Sequence, residues 1–426
     1  MRSVLGVGGI ELIKVCDSIM GSGKSQSAIT YMNEHTEENF IYITPYLPES
    51  KRIKEGCPDR RFIEPSDEIK DFEFSKLLHT HHLLKNKRNI TSTHKLFSLY
   101  TAETLDLIRD NHYTLIIDED VEAFTEADVC EGDVELLVKA GYVATGESGA
   151  MYKLVNDSYR GKALGDVFRM LRSHELVKLT EDGKTKYYYW VFPMDLLNAF
   201  EDVVIMTYMF DCQDLKYYLD HCKLDYRRIG IACAEDSGYR FTDDGGYIPE
   251  YVKYIRDKIH ILDDAKLNAV GDNYYALSMN WFGKHKTETE ILQKNIYNYF
   301  RNRFSDVPLE KKMWGTYKKA KAQLRGKGYT NSYVVFNQKA TNEHRTRKVL
   351  AYCSNVFMPR CKKDYIHSLG LKVDQDAYAL STLLQWIWRS AIRDGEEIDL
   401  YIPSRRMREL LIGWMNEVSN GGNQCD

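Results

Sequence analysis

Ser18-Ile19-Met20-Gly21-Ser22-Gly23-Lys24-Ser25 is the stretch on which the reading of this chain turns. Ahead of it runs Ile10-Glu11-Leu12-Ile13-Lys14-Val15-Cys16, apolar and alternating as a strand is. Behind it, Gln26-Ser27-Ala28-Ile29-Thr30-Tyr31-Met32 predicts the first turns of a helix. Strand, glycine-rich turn and helix together form the context in which backbone N–H groups close around phosphate oxygens. Gly21 and Gly23, on either side of Ser22, let the backbone approach, and the helix N-terminus adds partial positive charge. On this reading Lys24 reaches the β- and γ-phosphates and the Ser25 hydroxyl holds Mg²⁺. The usual pattern begins with glycine, whereas this chain has Ser18. The rival reading is a Gly/Ser-rich turn with no ligand.

Tyr113-Thr114-Leu115-Ile116-Ile117-Asp118-Glu119-Asp120 supplies the counterpart. It is a buried-strand run closed by carboxylates. Asp118 is placed to hold Mg²⁺ through water, and Glu119 to polarise an attacking water. Alone, an acidic pair after a strand is a solvated strand end; together with Gly23-Lys24-Ser25 it predicts an ATPase site.

Between and after these runs, short apolar strands alternate with helices. Phe40-Ile41-Tyr42-Ile43-Thr44-Pro45, Ile90-Thr91-Ser92-Thr93-His94 and Val203-Val204-Ile205-Met206-Thr207-Tyr208-Met209-Phe210 are further strands. The β–α order predicts an α/β fold with a mostly parallel sheet. Ligands in such sheets sit at the strand C-terminal ends. That edge gathers Ser18–Ser25, Thr44, Thr93, Asp118 and Glu119, so Thr44 and Thr93 are candidate contacts to a polymer or ordinary strand-end hydroxyls. His79, His81 and His82 lack an acidic or cysteine partner at metal-ligand spacing and predict a solvated helix end. Residues 127–200 change pattern, with helices over 133–141 and 162–174 and a hairpin around Asp182-Gly183, in a winged-helix-like outline. The aromatic run Tyr187-Tyr188-Tyr189-Trp190 within it is either core or a base platform.

At 426 residues the chain is long enough for two or three domains. Its 43% apolar and 28% charged residues are ordinary for a globular protein. No apolar run approaches a membrane span and there is no charged-then-apolar leader, so a cytoplasmic location is expected. Nine cysteines without metal spacing predict reduced thiols. The net charge is −4, but residues 281–426 carry 25 Lys+Arg against 15 Asp+Glu. A basic C-terminal half suits a polyanion or is a solvated helical surface. Residues 284–329 mix cations with Tyr297, Tyr299, Phe300, Trp314 and Tyr317. This mixture suits single-stranded nucleic acid, and equally an amphipathic helix with an apolar inner face. Tyr333-Val334-Val335-Phe336 predicts a strand. The polar run after it contains Thr341 and Asn342, further candidate nucleic-acid contacts. Residues 380–393 predict a helix on which Gln385, Arg389 and Arg393, four apart, share a face and can serve a γ-phosphate or lie in solvent.

Three motifs now carry a resemblance: Met20–Ser25, Ile116–Asp120, and Gln385-Trp386-Ile387-Trp388-Arg389-Ser390-Ala391-Ile392-Arg393. With Thr44-Pro45, Ser92-Thr93-His94 and Met206-Thr207-Tyr208, the chain resembles superfamily 2 helicases of the DEAD/DEAH-like kind, and looks most like those of phages and mobile elements. The family commonly has a small residue where Ser18 stands. The resemblance implies two RecA-like P-loop domains with ATP in the cleft between them. Gly21, Ser22, Gly23, Lys24, Ser25, Asp118 and Glu119 would come from the first domain. Gln385 and the arginine fingers Arg389 and Arg393 would come from the second. Trp388 stands where the family usually has glycine, and Arg393 follows Arg389 by four residues where three is usual. The expected organisation is a first domain over 1–126 and 201–215, an α+β insertion over 127–200, a connection over 216–265, and a second domain over 266–426. The expected function is an ATP- and Mg²⁺-dependent helicase or translocase. Its expected partners are single-stranded or duplex DNA, with RNA open, and replication proteins. The rivals are an ATP-switched replication-initiation adaptor that binds DNA without separating strands, and a small-molecule kinase.

Overall fold

The computed structural model describes residues 13–45, 47–147, 149–234, 236, 238–244, 246–336 and 342–419. They separate into two compact units. The first takes the described residues of Met1–Ser18, Gly23–Tyr247 and Pro359–Val373. The second takes those of Ile19–Ser22, Ile248–Met358 and Asp374–Asp426.

The strands of the first unit, in chain order, are β1 (Ile13–Asp17), β2 (Asn39–Thr44), β3 (Ile90–Thr93), β4 (Tyr113–Asp118), β5 (Phe124–Glu126), β6 (Val143–Thr145), β7 (Met151–Leu154), β8 (Glu175–Glu181), β9 (Lys184–Val191), β10 (Asp202–Thr207), β11 (Tyr226–Ala234) and β12 (Gly238–Thr242). The main sheet has the order β12-β11-β1-β10-β4-β2-β3. All its neighbours are parallel except β11 and β12. Every residue of β4 is buried, as expected of a strand covered on both faces. The α/β, parallel-sheet expectation therefore describes this unit. Residues 216–265 are corrected, however: they are not merely a connection, because β11 and β12 lie within them and extend the sheet beyond β1.

The remaining strands form an antiparallel sheet, β5-β9-β8-β7-β6. Asp182 (φ 50°) and Gly183 (φ 74°) make its β8–β9 turn. Two positive φ values fit the twist of a two-residue Asp-Gly hairpin, which is why that turn was legible. Tyr152, Phe168, Tyr188 and Trp190 close a separate core over this sheet, so the aromatic run is packing rather than a base platform. The winged-helix-like outline gives way to this five-stranded sheet.

The segment Pro359–Val373 belongs to this unit although it lies far along the chain. Its helix, Arg360–Ser368, is pinned by several contacts. Tyr189 Oη donates to the Cys361 carbonyl at 2.8 Å, and the Tyr365 ring lies 4.6 Å from Tyr189 and 5.1 Å from Phe124. Lys362 Nζ pairs with Asp214 at 2.7 Å and Glu122 at 3.3 Å. The Lys362 and Asp214 side chains are only 16% and 6% exposed. Taking the ammonium from so buried a carboxylate is costly, so Lys362→Met is expected to destabilise this unit by about 3 kcal/mol. Urea denaturation followed by circular dichroism measures the loss.

In the second unit, β13 (Ile259–Ile261), β14 (Lys312–Gly315), β15 (Val349–Tyr352) and β16 (Ile398–Tyr401) form a wholly parallel sheet in the order β13-β16-β15-β14. Tyr299, Phe300, Trp314, Tyr317 and Tyr329 fill its core. The aromatic–cation mixture is thus mostly the amphipathic alternative: these rings point inward, while Tyr297, Lys318, Lys319, Lys321, Arg325 and Lys327 are exposed. Tyr333–Phe336 is no strand; Tyr333 makes a single bridge to Trp314. Two of the three histidines, His79 and His81, are packed rather than solvated, whereas His82 is exposed as expected. His79 stacks on Phe72 at 4.8 Å, and His81 Nε2 lies 2.7 Å from Thr104 Oγ1. Among the described residues, no helix is long and apolar enough to cross a membrane.

Candidate nucleotide site

β1 ends at Asp17, and the loop after it is anchored at its root. Asp17 accepts from Met209 N (2.8 Å), Phe210 N (3.1 Å) and Arg228 Nη1 (2.6 Å), and Ser18 N donates to the Thr207 carbonyl at 3.0 Å. Gly21 (φ 84°) and Gly23 (φ 94°) take left-handed backbone that other residues adopt only with strain. Gly23 is the N-cap of the helix Lys24–Glu34, so the helix starts directly under the loop. Lys24 Nζ donates to the Ser18 carbonyl, curling the side chain back over the turn. Burial pulls the Lys24 pKa down, opposed by Cys16, Asp118, Asp17 and Glu119. Ser22 is buried, and Ser25 is partly exposed.

β4 stands two strands from β1, with β10 between. Asp118, 8% exposed, accepts from Tyr42 Oη at 3.1 Å. Burial, with help from Glu119 and Glu49, pushes its carboxyl up to about 7. Glu119 has φ 65°, and its N–H donates to the Met206 carbonyl at 2.9 Å. Its left-handed backbone, unusual for a non-glycine residue, is held by that bond to β10. Asp120 is a helix cap: its carboxylate accepts from Asp214 N (3.3 Å) and Leu215 N (3.2 Å). The Asp118 carboxyl holds its proton in the folded state up to about pH 7, against an ordinary value near 3.8. Its stability contribution is therefore complete below pH 3.8 and lost as pH rises through 7. Asp118→Asn cannot ionise. In metal-free protein it is expected to raise stability at pH 8, by at most about 4 kcal/mol, and to make little difference near pH 4. Urea titrations at both pH values measure this.

Ser25 and Asp118 carry the oxygen donors that a hard cation takes, although no group of three or more His, Cys, Asp or Glu placed to hold a metal ion occurs among the described residues.

The other sequence candidates are placed as follows. Thr44 is wholly buried, its hydroxyl without a partner among the described residues, so it lies beneath the surface a polymer would touch. Thr93 Oγ1 accepts from Leu96 N at 3.3 Å and caps a short helix, the bland alternative for that hydroxyl. Thr341 lies outside the described residues. Asn342 opens a short 3₁₀ turn, and its side chain is also outside them. The expected helix through Arg393 is corrected. It ends at Ile387, and a 3₁₀ turn, Ala391–Asp394, follows. Gln385, Arg389 and Arg393 therefore share no helix face. Gln385 is exposed. Arg389 is 2% exposed and donates to the Val335 (2.9 Å) and Phe336 (3.5 Å) carbonyls. Arg393 is half-buried, with no side-chain hydrogen bond or ion pair among the described residues. Sequence reasoning missed Tyr42, whose hydroxyl orients Asp118; a tyrosine inside an apolar strand gives no such signal.

Over 414 residues the chain is 37% identical to the SPbeta prophage-derived uncharacterized protein YonV of Bacillus subtilis (strain 168), an alignment covering 95% of this chain and 99% of that one. The chain belongs to the YonV family. The model of the YonV C-terminal Rossmann-like domain matches residues 253–415, the stretch that carries β13–β16. Among solved structures, this YonV-family chain is similar to S. tokodaii Xpd4, with TM-score 0.46, 10% identity, and coverage of 95% of this chain and 94% of that one. It is also similar to the DUF1998 helicase MrfA, solved bound to DNA, with TM-score 0.33, 9% identity, and coverage of 92% of this chain and 46% of that one.

Proposed function

We propose that this YonV-family protein is a Mg²⁺-dependent ATPase that drives a helicase or translocase acting on DNA, built on two RecA-like domains. One observation carries the reading. The Gly23-Lys24-Ser25 turn follows β1 and the Asp118–Glu119 pair closes β4, with only β10 between these parallel strands, so both stand at the C-terminal edge of one sheet. Two carboxylates and a lysine beneath a glycine-rich turn form a constellation for phosphoryl transfer to water.

In this proposal the loop N–H groups of residues 21–25 cradle the triphosphate, and the Lys24 ammonium leaves the Ser18 carbonyl for the β- and γ-phosphate oxygens. Ser25 and Asp118, the latter through water, would hold Mg²⁺, which neutralises charge on the β- and γ-oxygens. Glu119, whose backbone is fixed to β10, would orient the attacking water and accept its proton through its carboxylate. Arg393 is the guanidinium proposed to meet charge on the transferred phosphoryl group, since Arg389 is already committed to two carbonyls. That commitment also favours the second reading, an ATP-switched DNA-binding adaptor with slow hydrolysis. The exposed cations after β14 support a polyanion partner, and replication of phage or mobile-element DNA is the proposed setting.

The test is the steady-state ATPase rate with single-stranded DNA, duplex DNA or RNA, at one stated salt concentration because phosphate contacts are salt-sensitive. The motor reading expects stimulation of tenfold or so by at least one polynucleotide. Equal rates with and without all three contradict it, and tight DNA binding with slow, unstimulated turnover selects the adaptor.

A further inference from the structure

β11 outruns the strand it flanks. Its residues Tyr226–Ile229 pair with Ile13–Cys16 of β1, and it continues to Ala234, past the end of β1 at Asp17. β12 folds back with Tyr239 opposite Cys233. Cys233 stands four residues beyond Ile229, roughly 13 Å farther along the strand. Tyr239 is thereby carried beyond the C-terminal end of β1, to the level of the phosphate-loop candidate.

There its ring lies on Gly23. A Cβ built on that glycine would sit 2.2 Å from Tyr239 Cδ1 and 2.6 Å from its Cε1 and Cγ, so a larger residue and this ring exclude one another. The ring is half-buried, and Tyr247 meets it edge to face at 5.6 Å and 71°. Tyr247 is held in turn by its N–H, which donates to the Ile231 carbonyl at 2.9 Å. Farther along β12, Phe241 lies 6.1 Å from Tyr31 and Arg240 pairs with Glu34 at 2.6 Å, which fastens the hairpin along the helix Lys24–Glu34.

We propose that Tyr239 is the stacking surface for the nucleobase of the bound nucleoside triphosphate, with Tyr247 as its buttress. The inference rests on the triphosphate reading of the loop. Phosphates gripped by that loop and the helix N-terminus leave the sugar and base to extend outward past the helix's first turn. A braced aromatic ring stands beside the start of that path, on Gly23 and one residue from Lys24. Stacking needs only a π-face, so Tyr239 would accept adenine and guanine alike, without a dedicated reading glutamine.

The test is direct calorimetric titration, with Mg²⁺, of full-length wild type, Tyr239→Phe, Tyr239→Ala and Lys24→Ala. The titrants are ATP and inorganic tripolyphosphate, which carries the charge but no base. Tyr239→Ala is expected to weaken ATP about tenfold to a hundredfold while leaving tripolyphosphate unchanged, and Tyr239→Phe to keep both affinities. Equal weakening of both ligands in Tyr239→Ala would show that the ring only props the loop, and no weakening of either would show that it does not meet the base; both results overturn the proposal. Lys24→Ala is expected to weaken both ligands. Wild type that binds neither overturns the triphosphate reading and this proposal with it.

Discussion

Lys24→Ala and Glu119→Gln are expected to inactivate the protein in two distinguishable ways. Lys24 is the cation at the mouth of the glycine turn, and its ammonium now rests on the Ser18 carbonyl. Without it, the β- and γ-phosphates lose their only point charge from the loop. ATP affinity and hydrolysis should both fall, kcat/KM by roughly 100- to 1000-fold. Glu119 touches no phosphate in the proposed chemistry. Glu119→Gln keeps the side-chain shape and the backbone bond to Met206 but cannot take a proton. ATP affinity should be kept while kcat falls by about 10²- to 10⁴-fold. Calorimetric binding beside single-turnover hydrolysis separates the two. A Glu119→Gln protein that turns over normally would remove that residue from the chemistry.

The second large effect divides the two arginines. Arg389 is a structural group inside the second unit, spanning from the end of one helix to the carbonyls of Val335 and Phe336. Arg389→Ala leaves those carbonyls without their donor and is expected to cost about 3 kcal/mol of stability, lowering the melting temperature whether or not nucleotide is present. Arg393 is half-buried and has no such partner among the described residues. Arg393→Ala is expected to melt like wild type and to lose about 100-fold or more in kcat. Thermal denaturation beside hydrolysis rates reads both. The reverse pattern would exchange their roles, and full activity in both variants would detach this segment from ATP chemistry.

What the sequence revealed was local. The strand, turn and helix around Ser18–Ser25, the buried run ending in Asp118 and the Asp-Gly hairpin each depend on residues within a few positions of one another. What stayed hidden depended on distant partners. The helix through Gln385 stops at Ile387, where Trp388 turns to meet Trp414 at 5.5 Å and Tyr251 Oη at 3.2 Å. Neither partner can be inferred from a helical spacing. β11 stayed hidden because its place beside β1 is set by pairing with a strand about two hundred residues away and not by a local pattern. Tyr299, Phe300, Trp314, Tyr317 and Tyr329 could be assigned inward only once β14 and β15 gave them a sheet to cover. Thr44 shows the converse: a hydroxyl at a strand end by sequence, yet fully covered in the fold.

The central claim is that a triphosphate is held by the turn between β1 and its helix. A crystal structure with Mg²⁺ and a non-hydrolysable ATP analogue tests it most directly. The account predicts phosphate oxygens on the N–H groups of residues 21–25, the Lys24 ammonium moved from the Ser18 carbonyl onto them, and Asp118 facing the metal's water shell. An analogue bound elsewhere, with Lys24 still on Ser18, would contradict it.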